Sequence, residues 1–101
     1  MAQQLTDAAK QRIEDNLHLI PPHMRDGVRR YFFNGIAGGS FLTAVLSNDL
    51  MGALGKADDE NIGALPQYGV FLYNYVPAES FGSPARVKAW LDSFAEAESA
   101  Q

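Results

Sequence analysis

The tightest constraint on the fold sits in GGSFLTAVLSNDL, residues 38–50. Gly38 and Gly39 permit a tight turn, and Ser40 can accept from a free N–H of a first helical turn. Behind them Leu42, Val45, Leu46, Asp49, Leu50 and Ala53 recur at three-and-four spacing, the signature of one helix face. At about 100° per residue Asp49 falls inside that apolar arc. The spacing predicts one helix from residue 41 to about residue 55, a central pillar. Thr43 and Ser47 lie on one flank, Phe41 and Asn48 on the other. Asp49 is expected to be buried and salt-bridged, or bonded to helix-start N–H groups. Its removal should then cost on the order of several kcal/mol, because an unpaired buried charge is expensive.

Proline and glycine divide the rest of the chain. Thr6 and Asp7 open a first helix whose apolar stripe, Ala9, Ile13 and Leu17, is narrow. Residues 1–19 therefore read as a helical arm, packed on the body or on a second subunit. Pro21 and Pro22 end it. A second helix is expected over residues 23–34, with Gly35 as its left-handed stop and Met24, Val28, Tyr31 and Phe32 facing the core. Phe33 falls on the opposite side, between Arg29 and Arg30, where it is either a lone exposed aromatic or a contact. Asp58 or Asp59 caps a fourth helix, which kinks or splits at Pro66. Within it, GVFLYNYV is apolar nearly all round, the mark of a helix buried on several sides or one that oligomerises. Asn74 is its polar exception, expected to be buried and bonded to a neighbouring loop. Ser83 and Pro84 start a last helix, with Val87, Trp90, Leu91 and Phe94 as its core face and a frayed tail over residues 96–101. No strand pattern occurs. The expectation is a single all-α domain, residues 1–101, of about five short helices and no sheet.

Composition limits what such a domain does. The chain has 101 residues, 47% hydrophobic, with no cysteine and a net charge of −4. It can bury a core, but disulfides, thiol catalysis and cysteine-based zinc sites are excluded. The acidic balance argues against nucleic acid and anionic membranes as partners. A helix–turn–helix pairing of the second helix with the pillar fails for the same reason, since residues 40–54 contain no Lys or Arg. The opening MAQQLTDAAK lacks the features of a signal peptide, and no run approaches the roughly 20 apolar residues of a membrane span.

No catalytic signature stands out. His18 and His23 flank the Pro–Pro break without metal-ligand spacing, and neither neighbours a serine in a nucleophile elbow. No metal or cofactor is expected, and an enzyme is disfavoured without being excluded. An anion site is better motivated. GIAGGS runs into a helix start, Arg29 and Arg30 lie just upstream, and Tyr31, Phe33, Phe41 and Trp90 offer stacking surfaces. The candidate ligand-binding set is Arg29, Arg30, Phe33, Gly38, Gly39, Ser40 and Asn48. Against it, a glycine-rich turn between helices is ordinary connecting chemistry, and the P-loop pattern is absent.

Four segments taken in order, RRYFFNGIAGGSFLTAVLSNDL, GKADDEN, FLYN and GSPARVKAW, resemble a family of short uncharacterised proteins encoded by tailed bacteriophages and prophages. The resemblance covers roughly residues 20–91 and brings no catalytic residues. It implies a phage-encoded accessory protein acting in the host bacterial cytoplasm. Two binding functions are then open. One is a sponge for a nucleotide-type signal of bacterial immunity, using Arg29, Arg30 and the N–H groups at residues 38–40. The other is an interaction module that modulates a host protein through Phe33 and the first helix. A homo-oligomer is expected in either case.

Overall fold

A computed structural model describes the backbone of residues 5–99 and the side chains of residues 5–95. Among them are seven α-helices, three 3-10 turns and no strand. The all-α expectation holds. The count rises from about five because two expected helices are each cut in two.

Helix α1 (Asp7–Asn16) begins where Thr6 Oγ1 accepts from the Ala9 N–H at 3.1 Å. After the turn Leu17–Leu19, Arg25 reaches back and its Nε donates to the carbonyls of Leu17 (3.0 Å) and Ile20 (2.8 Å). The Leu17 oxygen also accepts from the Ile20 N–H at 2.9 Å, so Arg25 adds a charged donor at a helix end. Helix α2 (Arg25–Asn34) stops at Gly35, whose φ of 65° is left-handed as expected. Val28, Tyr31 and Phe32 are buried, while Phe33 is half-buried and packs against the core instead of facing water.

The pillar is the principal correction. Helix α3 (Ser40–Leu46) ends at Ser47, and α4 (Leu50–Lys56) starts afresh after Asp49. Asn48 takes a φ of 63°, a left-handed conformation that Asn tolerates better than most residues, and the chain reverses so that α4 packs against α3. Asp49 is exposed. It is the N-cap of α4, and its Oδ1 accepts from the Gly52 N–H at 3.0 Å. A Cβ on Gly52 would lie 2.2 Å from the other carboxylate oxygen, so a larger residue there would displace the capping carboxylate from this position. Ser40, in turn, is the first residue of α3 and not its cap; Gly39 holds that place without a side-chain bond.

Asp49→Ala is accordingly expected to cost about 0.5–2 kcal/mol, the value of an N-cap, in urea unfolding. A loss of about 4 kcal/mol or more would return the carboxylate to the core.

Helix α5 (Asp59–Gly63) is capped by Asp58, which accepts from the Asn61 N–H at 2.8 Å. That bond first, and the His23 imidazole at 2.9 Å second, hold the Asp58 carboxyl below the usual carboxylate range. Helix α6 (Leu65–Tyr75) starts next to it, with Pro66 in its first turn, where a missing N–H costs nothing. The split at Pro66 is thus a helix boundary and not a kink. Asn74, expected to be buried, is exposed, and its Nδ2 donates to the Val70 carbonyl of its own helix at 2.9 Å. Among the described residues the buried polar ones are instead Asn61, Ser80 and Ser93. Each has a partner: Tyr68 Oη donates to Asn61 Oδ1 at 2.8 Å, Ser80 Oγ to the Pro77 carbonyl, and Ser93 Oγ to the Trp90 carbonyl.

Helix α7 (Pro84–Ser99) starts as the sequence predicts, with the Arg86 N–H donating to Ser83 Oγ at 3.1 Å. The expected tail is helical as far as Ser99; the rest of that expectation, like the first four residues of the expected arm, lies outside the described residues. Helix α1 packs on α6 through fully buried Ile13, so the arm belongs to the body of the domain. At the centre Tyr31 Oη donates to the Ser80 carbonyl (2.6 Å) and Trp90 Nε1 to the Tyr31 carbonyl (3.1 Å). Rings of Tyr31, Phe32, Phe71, Trp90 and Phe94 meet around these bonds at centroid distances of 5.0–6.4 Å. Burial pushes the Tyr31 hydroxyl well above its usual pKa, so it stays a donor. The radius of gyration, 13.1 Å, is that of one compact domain of this length.

Candidate functional site

The residues expected to bind an anion are not brought together. Arg29 faces α1, where its Nε donates to Glu14 Oε1 at 2.8 Å and its Nη2 to Oε2 at 3.3 Å, while Nη1 donates to Asp26 at 3.1 Å. Two carboxylates already engage its guanidinium, and the Glu14 bond holds its pKa up. Arg30 is exposed and Phe33 is half-buried. Tyr31, Phe41 and Trp90, the proposed stacking rings, are all buried in the core.

Gly38, Gly39 and Ser40 do line an open pocket of about 430 Å³, together with Thr43, Ser47, Asp49 and Lys56. Neither arginine belongs to it. The Asp49 carboxylate opposes the field a phosphate would need, with Lys56 as the offsetting charge. Gly38 also has a packing explanation, since a Cβ there would lie 2.7 Å from the Leu42 side chain.

A larger cavity, about 500 Å³, opens between α4 and α6. Ala53, Tyr68 and Leu72 are buried at its floor; Leu50, 62% exposed, and Tyr73, 86% exposed, stand on its rim. On α4 Met51 is 75% exposed beside Leu50, and Leu54 is exposed one turn further on. Helix α6 supplies no charged residue to this wall, and α4 carries its lysine only at its last position. The polar side chains facing the groove are Asn48 and Asp49 at its mouth, with the Tyr68 hydroxyl already given to Asn61. Such a groove can bury an apolar side chain or a helix face and fix it with one or two hydrogen bonds.

Compared with known proteins, the chain matches no family model, no curated protein and no solved structure. The groove must therefore be read on its own geometry. Sequence reasoning singled out Asn48 but placed it beside arginines that are elsewhere. It missed Leu50, Met51 and Tyr73, although the all-round apolar character of residues 69–76 was a signal for one side of the groove. Among the described residues, no group of three or more His, Asp or Glu side chains is placed to hold a metal ion, and no helix is long and apolar enough to cross a membrane.

Proposed function

We propose that this chain is a small phage-type accessory protein, working in the host bacterial cytoplasm, that acts without catalysis by contact with another folded protein. The observation that carries the reading is the α4–α6 face: an apolar groove whose one charged lining residue is Asp49 at the mouth, rimmed by Leu50 and Tyr73 with Met51 next to Leu50 on α4, all three exposed to water. Large apolar side chains clustered around a concavity are characteristic of protein contact surfaces. The nucleotide-sponge reading retains the pocket beside Gly38 and Ser40, but its two arginines are elsewhere and its rings are buried. Contact through Phe33 and the first helix is disfavoured, because Phe33 and Ile13 pack into the core.

Native mass spectrometry of protein purified gently from a bacterial host tests this. A protein complex that Tyr73→Asp dissolves, with no added mass in the nucleotide range, is the expected result. A nucleotide-sized adduct removed by Arg29→Glu or Lys56→Glu would restore the sponge.

A further inference from the structure

The surface just described specifies its occupant more closely. We infer that the α4–α6 face binds the same face of a second copy of this chain, forming a two-fold dimer in which each Tyr73 enters the groove of the other. This rests on the reading of that face as a protein contact surface.

Shape is the first argument. A two-fold interface requires one patch to be complementary to itself. Here a cavity of about 500 Å³ and Tyr73, the most exposed large hydrophobic side chain among the described residues, share one face. Tyrosine buries an apolar ring and needs an acceptor or donor for its hydroxyl. Asn48, at the groove mouth, supplies an acceptor and a donor in its amide.

Charge is the second. Two copies, each at −4, repel unless they meet where charge is absent. Helix α6 has no charged residue from Leu65 to Tyr75, and the Asp49 carboxylate at the groove is turned onto the Gly52 N–H. A strongly basic or acidic partner would find little countercharge on these walls, so the surface favours a neutral, apolar counterpart like itself.

Area is the third. Typical side-chain areas scaled by the exposures of Leu50 and Tyr73 on the groove, and of Met51 and Leu54 on the same helix as Leu50, give on the order of 500 Å² of accessible apolar surface. A standard interface uses about 800 Å² per partner, roughly three-fifths of it apolar, which is about the same amount.

Sedimentation velocity on the full chain, over concentrations up to about 100 µM, provides the test. Wild type is expected to sediment as a dimer. Tyr73→Asp and Leu50→Asp, both at exposed positions, are expected to weaken association at least about thirtyfold and to sediment as monomers with unchanged far-UV circular dichroism. Tyr73→Phe keeps the ring and should remain dimeric, as should Arg30→Asp on α2, away from the groove. Dimers in all variants would place the interface elsewhere and overturn the proposal. A wild-type monomer throughout the range would overturn self-association itself. In that event, binding of an environment-sensitive apolar dye that Tyr73→Asp abolishes would leave the face open for a different protein. No dye binding would remove the contact-surface reading as well.

Discussion

Trp90→Ala is expected to lower the free energy of unfolding by about 3–5 kcal/mol and the thermal midpoint by roughly 15–30 °C. The indole is buried, with ring centroids of Tyr31 and Phe32 at 6.4 Å and of Phe94 at 5.4 Å, so truncation opens a cavity that three neighbours line. It also removes the Nε1 donor from the Tyr31 carbonyl. That oxygen keeps the Gly35 N–H at 3.3 Å, so the cavity and not an orphaned acceptor dominates the loss. For a domain with a typical total of about 5–15 kcal/mol, the variant would stand near the edge of folding. Trp90→Phe retains a ring and should cost less than half as much. Circular dichroism is the suitable readout, because the chain has a single tryptophan. A midpoint that falls by less than about 5 °C would mean that the aromatic knot is not what holds α2 to α7.

Gly35→Ala should cost about 2–4 kcal/mol, while Gly27→Ala, eight positions earlier, should stabilise by up to about 1 kcal/mol. Gly35 holds a φ of +65°, which costs a residue with a Cβ about 1–2 kcal/mol before any contact is counted. The added Cβ would also lie 2.3 Å from Phe94 Cγ, on a ring packed against Trp90. Gly27 sits inside α2 with nothing within 4 Å of the new methyl, so alanine there brings only its better helix propensity. Urea midpoints at equal m-value read both effects. Changes of the same sign at both positions would contradict the left-handed stop that joins α2 to the core.

The groove depends on a break that periodicity concealed. Leu42, Val45, Leu46, Asp49, Leu50 and Ala53 fit one helix face, and that pattern predicts an unbroken pillar. Ser47, Asn48 and Asp49 carry the opposite signal, a turn followed by a cap. The break allows α4 to fold back on α3, burying Ala53, and leaves the Leu46 carbonyl free to accept from the Gly82 N–H at 2.7 Å. That reversal places Leu50 opposite Tyr73 across the groove. Helix propensity over three residues is a fraction of a kcal/mol per position, too little to decide between the two arrangements.

At Pro66 the sequence left a kink and a split both open. Several other features needed only the sequence: the helix starts at Thr6 and Ser83, Gly35 as a left-handed stop, and the core faces of α2 and α7. Each rests on bonds or steric limits between atoms a few residues apart, so the chain carries the decision locally. Tertiary structure decided the rest. Tyr31 finds Ser80 across 49 positions and Trp90 finds Tyr31 across 59. Arg29 turns to Glu14 and not to the glycine-rich turn, and Asp49 caps a helix at the surface instead of crossing the core. Those outcomes depend on which faces meet when all seven helices pack at once, a collective balance of burial and pairing that no local pattern encodes.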